Sequence, residues 1–233
     1  DYESHDWQSF NIDRDQILRG AQGASGLPPR EANRLWSYYD VNADVGGYIK
    51  RDTLWWYSSV RDQDVSARQV TLPATRYRTR LSNYSGKGTY QLTRNDKLVA
   101  YGQVGRNDQP TRLDPFGPAG GGINASTVIN ESVDATTDHL AWGWVWKGEW
   151  NSIVRDNLLF EVRGGQFGAD RSETPNGTAD RFEDIVTLVA RGGNRDWQRN
   201  LRRWQGAGSL SYFKDDWFGN HHVKVGGEAI RFT

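Results

Sequence analysis

The chain of 233 residues contains no cysteine and no methionine. Without cysteine, neither a disulfide framework nor a thiolate metal site can form. Because a translated chain begins with methionine, we expect this one to be a processed or partial polypeptide. The length fits one all-β domain or two small domains.

The sequence also lacks an excess of either charge and lacks any long apolar run. Its 29 basic and 29 acidic residues argue against an extended positively charged surface that binds nucleic acid, so no nucleic-acid partner is expected. Mean hydropathy is −0.79, and no stretch approaches the roughly 20 apolar residues of a membrane helix. Such values indicate a water-soluble protein, but the strands of a membrane β-barrel also average out as polar, because lipid-facing and lumen-facing residues alternate.

Glycine and aromatic residues are abundant, with 26 Gly, 11 Trp, 10 Tyr and 8 Phe. Trp and Tyr collect at membrane interfaces, where one end of the ring is apolar and the other is hydrated. Composition alone fits a Trp-rich soluble β domain, such as a sugar-binding protein, equally well.

After an irregular segment of 35 residues, in which a short helix near Arg30 to Leu35 is an option, the sequence predicts four hairpins. Apolar and polar residues alternate in several segments, and the turns carry Asn, Asp, Gly and Lys. The predicted strand pairs are Tyr38–Ile49 with Leu54–Asp64, Arg76–Leu92 with Leu98–Arg106, His139–Trp150 with Leu158–Phe167, and Arg203–Lys214 with His221–Phe232.

The predicted connections alternate in length. Turns within pairs have about four to seven residues, whereas Val65–Thr75, Asn107–Asp138 and Gly168–Arg202 give connections of about 11, 32 and 35 residues. We expect the longest two to be structureless. Short turns at one end and long loops at the other are typical of outer-membrane barrels. Aromatic residues beside the short turns predict a girdle at the periplasmic interface: Trp55, Trp56, Tyr57, Trp150, Trp217 and Phe218.

Two segments resemble a known family. The stretch Tyr39–Asn42 and the longer stretch Val45–Tyr57, with its Gly-Gly pair, basic-acidic turn and Leu-Trp-Trp-Tyr run, resemble the first barrel hairpin of TonB-dependent outer-membrane receptors. The Oar-like group, which carries an N-terminal carboxypeptidase-regulatory-like domain, is the most similar, although Tyr48 stands where that group usually has Pro. The segment His221–Glu228 is similar to a recurrent strand of the same family. The resemblance covers Trp36 to Thr233, densely at its two ends.

The resemblance implies an all-β fold, namely an antiparallel transmembrane β-barrel segment of about eight strands from a barrel of about 22. Residues 1–35 would lead into or out of the plug or first loop, and residues 36–233 would form the barrel segment. The implied function is substrate uptake across the bacterial outer membrane. The implied partners are outer-membrane lipid, the plug and remaining strands, and the TonB complex. Iron chelates, oligosaccharides, peptides and cobalamin are all candidate substrates.

Four other motifs have simpler explanations than a functional site. Asp40 to Asp44 imitates a calcium loop, but Val45 and Arg51 stand where Gly and Glu are required. His221 and His222 are strand neighbours that point to opposite faces. Gly117 to Gly122 lacks the Lys-Ser/Thr of a phosphate loop, and the pair Asp215-Asp216 lies in a turn.

No set of residues makes a catalytic constellation, so we predict a protein that is not an enzyme and uses no cofactor or metal. The tryptophans at 142, 144, 146 and 150 share one strand face, where lipid, a sugar ring or a protein core could cover them. The rival hypothesis is a secreted carbohydrate-binding or glycoside-hydrolase β-sandwich.

Overall fold

The structure is a computed structural model. It describes residues 2–4, 6, 34–69, 71–113, 128–184, 186–187, 189–193, 196–215 and 218–233, without the side chains of residues 73 and 74. Every statement below refers to these residues. They contain no α-helix, and hence no helix long and apolar enough to cross a membrane.

One large antiparallel sheet dominates the fold. Its nine strands follow one another in chain order, so that each strand pairs with the next. They are β1 (Tyr2–Ser4), β2 (Leu35–Lys50), β3 (Leu54–Gln69), β4 (Leu72–Gln91), β5 (Asp96–Arg112), β7 (Thr137–Arg155), β8 (Leu158–Pro175), β11 (Trp197–Lys214) and β12 (His221–Phe232). A second sheet is formed by β6 (Ile129–Asn130), β9 (Phe182–Asp184) and β10 (Val189–Arg191), where β10 pairs parallel with β6 and antiparallel with β9.

The eight predicted strands and their pairing are confirmed. In the first hairpin Asp44 lies opposite Ser59, and Asp52 adopts a positive φ of 57° in the turn. The strands are longer than predicted, and β4 reaches 20 residues. Since about 9–11 residues suffice to cross a bilayer as a tilted strand, such strands can project well beyond one.

Several predicted boundaries are wrong. The segment Val65–Thr75 is not a connection of 11 residues, because β3 continues to Gln69 and β4 begins at Leu72. The segment Asn151–Asn157 is mostly strand, since β7 runs to Arg155. In the first 35 residues, Tyr2–Ser4 pairs with β2, and Leu35 starts β2 instead of ending a helix. The rest of the predicted helix, residues 30–33, lies outside the described residues.

The two long connections are not structureless throughout. They supply β6, β9, β10 and a short 3-10 helix, Val133–Ala135, which enclose a small core of Val128, Ala135 and Ala190. The backbone N–H of Asn130 donates to the carbonyl of Thr71 (2.8 Å), beside the fully buried Leu72. This loop module is therefore anchored to the turn between β3 and β4. Residues 114–127 of the first long connection lie outside the described residues.

The antiparallel order gives the large sheet two distinct ends. The turns after β2, β4, β7 and β11 lie at one end, called the turn end, and the connections after β3, β5 and β8 lie at the other, called the loop end. The flanking strands thus confirm that the predicted turns lie at one end and the two longest connections at the other, whereas the connection after β3 is itself a tight turn at the loop end. Residues 120 and 185 of the two longest connections and residue 217 of the last turn lie outside the described residues.

The sheet is open. The strand β12 pairs only with β11, and the outer edge of β2 is paired only at Ser37–Tyr39, by β1. The barrel segment expected from the sequence is thus an open sheet, and within the described residues its eight long strands do not close into a small barrel of their own.

Candidate functional site: an apolar and a polar sheet face

The register assigns each strand residue to one of two faces, because directly opposed residues on neighbouring strands share a face. Trp146, for example, lies opposite Gly102 on β5 and Gln166 on β8, and all three belong to one face. Extending this rule from β2 to β12 separates an apolar face from a polar face.

The apolar face carries a continuous apolar band. Charged residues on this face lie at the loop-end border of the band (Asp62, Arg106, Asp170 and Arg202), at its turn-end border (Lys50 and Asp96) and at Arg231, opposite Trp204. The large side chains of the band are exposed, with Trp142, Trp146 and Trp150 each between 41 and 45% accessible. On β7 the band spans about 27 Å of strand, close to the roughly 25 Å apolar height of a membrane barrel. Its polar uncharged members include Ser58, Ser152 and Gln166. The others include Val41, Val45, Leu54, Trp56, Val60, Tyr84, Tyr90, Leu98, Val104, Phe160, Val162, Trp204, Leu210, Tyr212, Val223 and Val225.

Aromatic rings with polar contacts border this band at both ends. At the turn end, the Nε1–H of Trp150 donates to Asp96 Oδ1 (3.1 Å). At the loop end, the guanidinium of Arg106 lies 5.5 Å from the Trp142 ring centroid, and that of Arg202 lies 4.4 Å from the Trp144 centroid. Rings with one apolar and one polar environment are typical of membrane interfaces.

The predicted aromatic girdle needs correction. Trp56 and Trp150 lie on the apolar face, but Trp55 and Tyr57 lie on the polar face, because consecutive strand residues alternate. Trp217 lies outside the described residues. Phe218 is fully exposed in the turn before β12.

The polar face carries charged and amide side chains that pair across strands. The Nζ of Lys224 donates to Glu161 Oε2 (2.8 Å), and Ser209 Oγ donates to the same oxygen (3.1 Å). On β2 and β3, Arg61 forms an ion pair with Asp40. Other members are Asn42, Asp44, Gln63, Asn83, Ser85, Lys87, Gln103, Asn107, Lys147, Glu149, Asn151, Arg163, Gln205 and Glu228.

Ion pairs form the loop-end border of the apolar band, on the same face as the band. Asp62 accepts bonds from Arg80 (3.0 and 3.2 Å), Ser82 (2.6 Å) and Tyr39 (3.0 Å). The hydrogen bonds from Arg80, followed by that from Ser82, lower the pKa of Asp62 to about 2. Similar pairs join Arg78 to Asp64 and Arg202 to Asp170.

A buried polar cluster lies on the polar face at the loop end. The carboxylate of Glu173 accepts a hydrogen bond from Trp197 Nε1 (2.8 Å) and lies 3.4 Å from Arg112 Nε. His139 Nδ1 lies 3.3 Å from the same carboxylate, without hydrogen-bond geometry. Burial, followed by the charge of Arg112, lowers the pKa of His139 against the opposing effect of Glu173. The shift favours the neutral form of His139.

The structure places the predicted motifs as follows. Asp40, Asn42 and Asp44 alternate along the polar face of β2, and no group of metal-ligating side chains occurs in the described part of the chain. His221 and His222 lie on opposite faces, as predicted, and His222 stacks on Phe213 (centroids 4.4 Å apart). Gly117 to Gly122 and Asp216 lie outside the described residues.

The sequence did not point to the Glu173 cluster or to a pair of arginines, Arg171 and Arg199, that the register sets directly opposite each other on the polar face. Both depend on the loop-end continuation of β8 and β11, which were predicted to stop at Phe167 and to start at Arg203. Alternation continued past those points would have placed Arg171 and Glu173 on the same face as Phe167.

Comparison with known proteins found no matching family model and no matching curated protein. Among solved structures, the chain is similar to the siderophore receptor PirA from Acinetobacter baumannii, with a TM-score of 0.61 and 13% sequence identity. The match covers 87% of this chain and 28% of that receptor, so the chain spans about a quarter of the receptor's length. At this identity the similarity shows the fold: the sheet resembles part of a barrel receptor.

Proposed function

We propose that this sheet is the membrane-spanning wall of part of a large β-barrel in the bacterial outer membrane. The observation that carries the proposal is the division of one sheet into an apolar band, with charged residues at its borders and at Arg231, and a charged polar face. In this arrangement the band contacts lipid, and the polar face lines a water-filled lumen. In water, an apolar surface of this size would be a strong aggregation liability.

The open edges support a barrel larger than these strands. Backbone groups that lack partners in hydrocarbon cost several kcal/mol each, so a membrane sheet has to close. Strands outside this sequence, pairing with β12 and with the free part of β2, would complete the barrel. The partial coverage of the similar receptor agrees with this arrangement.

The biochemical role we infer is energised uptake by a TonB-dependent receptor. In such a receptor a substrate binds at the loop end and at a plug inside the barrel. The TonB complex then acts on the plug to open a path. The wall has a passive role, since in the closed barrel every backbone group in lipid is bonded and the polar face lines the lumen. Support comes from the receptor fold and from the resemblance of the first hairpin and the last strand.

The rival carbohydrate-binding β-sandwich requires two stacked sheets about 10 Å apart. In the described residues, the only other sheet consists of strands of two or three residues at the loop end, and it leaves the tryptophan band uncovered. The uncovered tryptophan band favours the membrane-wall proposal over the β-sandwich.

Uptake is tested by deleting the gene in its native host and measuring growth on limiting iron chelates, oligosaccharides, peptides or cobalamin. We expect one growth defect that a TonB deletion reproduces and that the restored gene repairs. A protein that fractionates as soluble without detergent would contradict the membrane proposal. A deletion phenotype independent of TonB would contradict the uptake mechanism alone.

A further inference from the structure

Two arginines on the polar face lie in an unfavourable arrangement. Arg171 on β8 and Arg199 on β11 are directly opposed in the register, and both are exposed. Directly opposed strand residues have Cβ atoms about 5 Å apart, and like charges in that position are destabilising. A third exposed arginine, Arg203, lies on the same face of β11, opposite Phe167.

No acidic side chain neutralises these arginines within the described residues. None of the three takes part in an ion pair there. On β5, β7, β8 and β11, the only acid on the polar face at the loop end is Glu173. Its carboxylate is buried and already contacts Trp197 and Arg112. Asp170, the nearest acid along β8, lies on the other face and pairs with Arg202.

The surroundings of the pair leave room for a ligand. Between the Arg171–Arg199 row and Arg203, the polar face carries the small residues Gly143 and Ala169 beside Leu201. A cavity of about 250 Å³ begins at Arg203 and Phe167 and extends toward the turn end, where Lys147, Arg163 and Glu149 also line it.

We propose that Arg171, Arg199 and Arg203 form a binding site for a small polyanion that carries carboxylate or phosphate groups. Guanidinium groups bind both kinds of anion through paired, charge-assisted hydrogen bonds. A bound anion would remove the repulsion between the opposed arginines. The site lies near the loop end of the polar face, where a solute entering a lumen would first meet the wall. The inference rests on the proposed function only for that placement.

The charge of the neighbouring groups agrees with this site. The groups that face His139 are Arg112 and Arg171, which disfavour its protonation, and Glu173, which favours it. The neutral form of His139, which this pKa shift favours, adds no charge to the site. This part of the face has a net positive charge, because it carries four arginines, Arg112, Arg171, Arg199 and Arg203, and one buried carboxylate, that of Glu173.

The test uses the complete receptor in detergent at low ionic strength, where screening is weak. Citrate and inorganic pyrophosphate serve as the carboxylate and phosphate probes, and calorimetric titration measures Kd. Arg171→Gln and Arg199→Gln should each weaken binding roughly tenfold, and the double variant by more. Arg61→Gln is the matched control, since Arg61 lies on the same face but pairs with Asp40. Its Kd should equal that of the wild type.

A melting experiment without probe separates a ligand site from a structural ion pair. If the opposed arginines repel each other, Arg199→Gln should melt at the same temperature as the wild type or higher, and pyrophosphate or citrate should raise the melting temperature of the wild type only. A lower melting temperature of Arg199→Gln without probe would overturn the proposal, because it would reveal an acidic partner elsewhere in the protein. Absence of binding by both probes, or equal binding by the variants, would overturn it as well. Because binding in detergent needs no TonB, either failure leaves the uptake proposal standing.

Discussion

Gly148 offers a direct test of which medium covers the apolar face. It lies on that face between Ala100 and Gly164, and a Cβ built on it meets no heavy atom within 4 Å. The neighbouring space is an apolar cavity of about 480 Å³ lined by residues such as Leu54 and Trp150. A long side chain at position 148 therefore fits without a clash, and its energetic effect reports the environment.

An arginine on a lipid-facing barrel strand costs about 2–4 kcal/mol at the midplane and about 0–1 kcal/mol near the interfaces, so at Gly148, two residues from the border residue Trp150, we expect a cost of about 1–2 kcal/mol. A leucine there should be neutral or stabilising by about 0.5–1 kcal/mol, because it removes the backbone freedom of glycine. Gly148→Arg should thus be less stable than Gly148→Leu by about 2 kcal/mol, a factor of roughly 30 in the folding equilibrium.

The assay is reversible urea unfolding of the complete protein in lipid vesicles, followed by tryptophan fluorescence. Ser85→Arg is the control, because Ser85 lies at a comparable height on the polar face, between Ser59 and Gln103. Its stability should change by less than about 0.5 kcal/mol. Equal stability of the two Gly148 variants, or an equal loss in Ser85→Arg, would refute the assignment of the faces.

Three further outcomes are expected. Asp62→Asn should flatten the curve of unfolding free energy against pH between about pH 4 and about pH 2. Arg80 lowers the pKa of Asp62 to about 2 in the folded state, so the carboxylate stabilises the wild type above the unfolded-state pKa, and this stabilisation is lost as the pH falls to about 2. An acid-unfolding curve identical to that of the wild type would contradict this prediction. Gly165→Ala should destabilise by about 1–3 kcal/mol in urea titration, because the added Cβ lies 2.2 Å from a backbone carbonyl oxygen of β7, whereas Gly148→Ala should be tolerated. Leu72→Ala should cost about 2–5 kcal/mol and increase proteolysis of the loop module, since Leu72 is fully buried; equal protease resistance would show that the anchor is dispensable.

The strand pattern could be predicted from the sequence because alternation and turn residues are local signals. The run from Trp142 to Trp150 shows period two in the letters themselves, and the Lys50–Thr53 turn sets the register of the first hairpin. The extent of the strands could not be predicted in the same way. Between Val65 and Gln69 the residues are mixed, and pairing with β4 keeps them extended.

The contacts at the loop end could not be predicted from local sequence patterns. The Glu173 cluster joins β5, β7, β8 and β11, and the opposition of Arg171 and Arg199 exists only once the register of β8 and β11 is known. The loop module joins segments about 60 residues apart, as in the bond between Asn130 and Thr71. Such long-range pairings leave no periodic trace in a single sequence.

The central claim is that one face of this sheet contacts lipid and the other contacts water. Because the sequence contains no cysteine, single cysteines introduced at each of residues 98–103 of β5 can carry a nitroxide spin label in the complete protein in lipid vesicles. Collision rates with oxygen and with a water-soluble nickel chelate then measure the medium at each position. We predict that labels at Leu98, Ala100 and Gly102 favour oxygen, whereas labels at Val99, Tyr101 and Gln103 favour the chelate. Chelate access at all six positions, or the reverse alternation, would contradict the account.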